Sequence, residues 1–87
     1  MHRDKQSFKV WAVHDGRRTL MHVIEEPGGR QRAMQAIEHL KSRPEIDAIE
    51  LREHIVSFGG DPEAAPKARR GTLRWQRSGE GWRQLGH

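Results

Sequence analysis

The chain contains no cysteine. That excludes a disulfide framework and a thiolate zinc site, and it fits a reducing compartment. Hydrophobic residues are also scarce, at 33% of the 87, against roughly 45–50% in ordinary globular chains when glycine is counted with them. A single small domain spanning residues 1–87 buries only about two thirds of its unfolded surface. A thin core and modest stability are therefore expected, in a monomer or a small homo-oligomer. No apolar run approaches the ~20 residues that span a bilayer, and the stretch from Met1 to Gln6 has no apolar signal core behind it. A cytoplasmic location without a membrane partner is the expectation. Glycine-rich nucleotide-binding signatures are missing, and so are zinc-finger spacing, an aromatic RNP signature and a GXXG loop between helices. The histidines, His2, His14, His22, His39, His54 and His87, show no metal-ligand spacing. Neither a metal nor a cofactor is expected.

Charge is plentiful and unevenly placed. The first 66 residues hold ten Lys or Arg against eleven Asp or Glu, while the last 21 hold six against the single Glu80. Two of the three tryptophans lie in that basic end. A basic segment interleaved with indoles suits an anion-bearing surface, either nucleic acid or a protein that is acidic or handles nucleic acid.

The patterning predicts α+β: an antiparallel sheet of four to five strands with one amphipathic helix on one face, in the order ββαβββ. Strand formers from Phe8 to His14, a turn at Asp15-Gly16 and a return over Arg18 to Ile24 make a hairpin. A two-residue loop pairs Trp11 with Leu20 and Ala12 with Thr19. It places Phe8, Val10, Ala12, Thr19, Met21 and Val23 on one face. Lys9, Trp11, Val13, Arg18, Leu20, His22 and Ile24 fall on the other. Ala33, Ala36, Ile37 and Leu40 form the apolar stripe of a helix over Arg30 to Arg43, which Pro44 closes. Gly28-Gly29 ahead of it reads as a flexible N-cap. Ile49 and Leu51 then alternate with Glu50 and Arg52 in a strand. Beyond His54 the apolar residues Ile55, Val56 and Phe58 occupy both faces, which predicts a bulge near Glu53-His54. The carboxylates Glu45, Asp47, Glu50 and Glu53, balanced by Arg43 and Arg52, read as a solvated strand edge. A mobile loop is expected over 59–71, then a hairpin over 72–85 with Arg77 opposite Trp82.

The candidate binding surface is that last segment. Lys67, Arg69, Arg70, Arg74, Arg77 and Arg83 supply cations, and Trp11, Trp75 and Trp82 are candidate aromatic anchors. Alternation puts Leu73, Trp75, Arg77, Trp82 and Gln84 on one face of the hairpin. Thr72, Arg74, Gln76, Arg83 and Leu85 fall on the other. Either the two indoles bury each other and the arginines are a solvated face, or an indole stacks on an unpaired base. The Trp11 face is either an exposed interface or, if the C-terminal hairpin lies over it, core; the covered arrangement is the expectation. No catalytic residue is assigned. Toxin-type ribonuclease chemistry, with His22 or His54 beside an arginine, is the enzymatic alternative.

In size and element order the chain resembles small anti-CRISPR proteins of phages and mobile elements. Several of these are single α+β domains that end in a short polar hairpin like Thr72-Leu73-Arg74-Trp75-Gln76-Arg77-Ser78-Gly79-Glu80-Gly81-Trp82. The resemblance carries no residue roles. Many of those proteins are acidic DNA mimics, and this chain departs from them in being basic. It implies a non-enzymatic inhibitor that engages a nucleic-acid-handling protein assembly, such as a CRISPR effector. The alternative partner is DNA or RNA itself.

Overall fold

Asp15 and Gly16 both adopt positive φ, 51° and 77°, the backbone of the tight turn whose twist matches two antiparallel strands. They join β1 (Arg3–His14) to β2 (Arg17–Ile24) in the computed structural model, which describes residues 3–26, 28–58, 67–79 and 81–86. Helix α1 (Gly29–Lys41) follows, then β3 (Ala48–Phe58), β4 (Lys67–Ser78) and β5 (Gly81–Gly86). The strands form one antiparallel sheet in the order β2-β1-β3-β4-β5. The α+β class is as the pattern predicts. No helix among the described residues is long and apolar enough to cross a membrane.

Trp11 pairs with Leu20 and Ala12 with Thr19, as a two-residue turn requires. One step further the register shifts: Val10 pairs with His22, leaving Met21 as an extra residue on β2. This bulge corrects the expected faces beyond it. Ile24 turns inward opposite Phe8, and Val23 turns out, 49% exposed.

Gly28 caps α1 in the left-handed conformation at φ 78°. Gly29 is required by packing: a Cβ there would lie 2.6 Å from Ile24 Cγ2 and 2.9 Å from Phe8 Cδ2. The helix ends at Lys41, where Ser42 donates from its N and its Oγ to the His39 carbonyl at 3.2 and 2.6 Å. Pro44 follows and prevents continuation.

The core lies between α1 and one sheet face. Phe8, Val10 and Ala12 of β1, Ile49 and Leu51 of β3 and Trp75 of β4 meet Ala33, Ile37 and Leu40 of the helix, with Ile46 at its margin. A 13-residue helix is about 20 Å long, whereas the 12 residues of β1 extend about 40 Å. The molecule measures 51 × 20 × 19 Å, so α1 covers only part of the sheet's length. That explains β3 beyond His54. No bulge interrupts it; its register with β1 and β4 is continuous. Ile55 and Val56 are half-buried on opposite faces because the strand has run past the helix.

β4 begins at Lys67, so the last five residues of the expected 59–71 loop are strand. The rest of that loop lies outside the described residues. The C-terminal hairpin does not lie over Trp11, contrary to expectation. It continues the sheet edgewise beyond β3, and no described element packs over the Trp11 face.

Candidate anion-binding face

Strand alternation decides which side chains reach the open face, and strand order decides which of them meet. Across β2, β1, β3, β4 and β5, one row reads Leu20, Trp11, Glu50, Arg74, Leu85. The row on the turn side reads Arg18, Val13, Ala48, Gln76, Arg83. On the other side come Val23, Lys9, Arg52, Thr72, then Ser7, His54, Arg70. Rows are spaced roughly 6.6 Å along the strands.

The centre is an Arg–Glu–Arg bridge. Glu50 is buried, and its carboxylate accepts from Arg18 Nη2 at 2.8 Å and Arg74 Nη1 at 3.3 Å. The Arg18 guanidinium lies 4.7 Å above the centre of the Trp11 ring. Glu50 is the only strand carboxylate on this face among the described residues, and the two arginines leave the cluster positive. Two buried side-chain donors among the described residues have no acceptor, Trp11 Nε1 and Arg74 Nε, and both belong to this row. Leaving a buried donor unpaired costs about 1–3 kcal/mol.

Beside this row is an open basin of about 410 Å³. Lys9 and Arg52 line it as direct cross-strand partners, and so do His54 and Arg70 one row on. Like charges directly opposite in a sheet are destabilising. Yet no carboxylate pairs with Lys9, Arg52 or Arg70 among the described residues. Glu53 also enters the lining, but its carboxylate belongs to the helix side, where Arg30 meets it at 3.4 Å.

The remaining candidates divide by face. Arg74, Arg83 and Arg70 stand on the open face, as the alternation implies. Trp75, at 3% exposure, is core and out of reach of a partner; Lys41 Nζ lies 5.5 Å above its ring. Trp82 packs half-buried against the same core and donates from Nε1 to the Lys41 carbonyl at 3.3 Å. Arg77 is a structural clamp. Its guanidinium donates to the carbonyls of Ile46 and Arg43 at 3.0 and 2.9 Å and stacks 4.5 Å from Trp82. Arg69 is exposed on the helix-side register beyond the helix, and Lys67 is the first residue of β4. Of the aromatic candidates, only Trp11 joins the open-face cations.

The acidic run is not a solvated edge, because β3 is the middle strand. Glu45 pairs with Arg43 at 2.7 Å, Asp47 Oδ2 accepts from the Asp15 amide at 3.0 Å, and Glu50 and Glu53 have the partners above. Arg52, read as balancing those carboxylates, balances none of them. Lys9 and Arg18 were legible as companions of Trp11, but the juxtaposition of Lys9, Arg52, His54 and Arg70 needs the β1-β3-β4 order, for which no short-range signal exists. His22 and His54 are separated by β1, so the sheet does not bring them together. No three His, Asp or Glu side chains gather as metal ligands among the described residues. Comparison of the chain with protein-family models, curated proteins and solved structures finds no match.

Proposed function

We propose that the chain is a non-enzymatic module that binds nucleic acid on the open face of its sheet. The observation that carries this is the like-charged cross-strand pair Lys9–Arg52, with Arg70 one row on, lining a basin where no carboxylate among the described residues pairs with them. A sheet that retains mutual repulsion at its centre gives up stability, and binding a polyanion restores it. Arg74, Arg83 and Arg18 widen the same positive surface. Fluorescence anisotropy with labelled oligonucleotides tests this directly. Engaging three to five phosphates should give a slope of about −2 to −3.5 in log K against log salt. Absence of binding to any oligonucleotide at about 50 mM salt overturns the reading. Recovery of cleaved RNA would overturn its non-enzymatic part.

A second reading rests on a different observation. Leu20, Val23 and Leu85 are 41%, 49% and 38% exposed, and all three border this same face. An apolar rim around arginines and a tryptophan suits a protein interface. The partner would then belong to a nucleic-acid-handling assembly, in the manner of an anti-CRISPR-type inhibitor. Replacing Leu20 and Val23 by Ser would weaken that interface while leaving oligonucleotide affinity unchanged.

A further inference from the structure

We infer, on the footing that the open face binds nucleic acid, that the ligand is single-stranded and that one of its bases stacks on the guanidinium of Arg18. Arg18 is held from two directions. The Trp11 ring supports it from beneath at 4.7 Å, and Glu50 fixes one edge at 2.8 Å. Its side chain is nevertheless 40% exposed. An arginine pinned in its own plane with one side open is a stacking platform, because a guanidinium plane accepts a base as an aromatic ring does.

The opposite face supplies the contrast. Arg77 also stacks on a tryptophan, Trp82, but its donors are committed to the Ile46 and Arg43 carbonyls. Next to Arg18, by contrast, Trp11 Nε1 and Arg74 Nε have no acceptor. Both atoms are buried, so they mark this row as incompletely satisfied and are not themselves contacts for a base. Lys9 and Arg52 lie one row beyond Trp11 and Arg70 one row beyond them, placed for the phosphates that follow such a base.

The same geometry argues against duplex. Helix α1 packs on the far side of the sheet, so it cannot enter a major groove. In a duplex the bases are stacked on one another, and a flat platform meets only backbone.

The test compares four probes of about ten nucleotides: an oligothymidine, an oligouridine, an abasic strand of equal length, and a duplex. All are measured by anisotropy at the same salt. The strand bearing bases should bind roughly 5- to 150-fold tighter than the abasic strand, the range of one base–platform contact. Arg18→Lys keeps the charge and removes the plane. It should bring the ratio of base-bearing to abasic affinity close to one. Equal affinity for based and abasic strands, or for single strand and duplex, overturns the inference while the nucleic-acid reading stands. If none of the probes binds, that reading itself has failed. The abasic comparison uses the unaltered protein, so the result does not depend on a variant folding. The thymidine and uridine strands show whether the platform favours DNA or RNA.

Discussion

The two faces of this sheet use the same residue types for opposite ends. On the covered face, Trp75 and Trp82 pack against the core beneath the helix and Arg77 ties two loop carbonyls. On the open face, Trp11 carries Arg18, and Arg74 retains a buried donor without an acceptor. Position in the alternation, rather than residue type, decides whether an arginine or tryptophan holds the fold or faces a partner. The covered face satisfies its polar groups and buries its apolar ones. The open face leaves cations opposed and donors unpaired, and local rules are most often broken at binding sites.

The largest break in this comparison should come from the covered face. Ile37 is fully buried at the centre of the helix stripe. Ile37→Ala should cost about 2–5 kcal/mol, a large fraction of the stability of a domain this small. Arg52→Ala, exposed on the other face, should stay within about 0.5 kcal/mol. Urea unfolding of the two variants checks this. Similar losses would mean that the open face also carries the fold.

Arg77 and Arg74 give the next largest contrast. Arg77→Leu leaves the Ile46 and Arg43 carbonyls without their donor, costing about 1–3 kcal/mol, and should spare oligonucleotide affinity. Arg74→Leu removes a weak 3.3 Å ion-pair contact and an unpaired Nε. It should therefore change thermal stability less and weaken binding more. A thermal melt and an anisotropy titration on each variant suffice, and a matched profile for the two would erase the distinction between faces.

How much of this was legible depends on the range of the signal. The Asp15-Gly16 turn, the helix stripe from Ala33 to Leu40 and the pairing of Arg77 with Trp82 are local, and the sequence pattern finds them. Alternation also separates Trp75 from Arg74 correctly. The bulge at Met21 was not legible, because nothing in the local pattern marks the extra residue. It exchanged the faces of Val23 and Ile24. The open basin was not legible either, since Lys9, Arg52 and Arg70 come from three strands whose order is a long-range outcome. The pattern beyond His54 misled for a related reason: it presumes a helix over the whole strand, and α1 is half as long as the sheet.

Lys9 sharpens the comparison with a reversed sign. Lys9→Glu turns the like-charged pair with Arg52 into an opposite-charge pair, worth roughly 0.2–1 kcal/mol in a sheet. Stability should rise while oligonucleotide affinity falls. That opposition is expected where a site is kept at the expense of the fold. A variant that lost both, or gained both, would show that the repulsion is not tied to binding.

The smallest effect belongs to Glu45, in the turn before β3. A backbone hydrogen bond at its own position, with the neighbouring Arg43 guanidinium, holds its carboxyl below the ordinary value. The residue also anchors the end of β1, since its carbonyl meets His14 Nδ1. A carboxyl lowered in the folded state contributes stability that is present above its unfolded value and lost as pH falls through the folded one. The side chain is exposed and water screens the pair, so the contribution is small. Glu45→Gln should therefore narrow the drop in urea midpoint between neutral and acidic pH, with little change at neutral pH. It should leave oligonucleotide affinity at neutral pH untouched, because Glu45 has no part in the basin. An altered affinity would mean that the loop under the helix communicates with the open face, and the division between the two faces would then be incomplete.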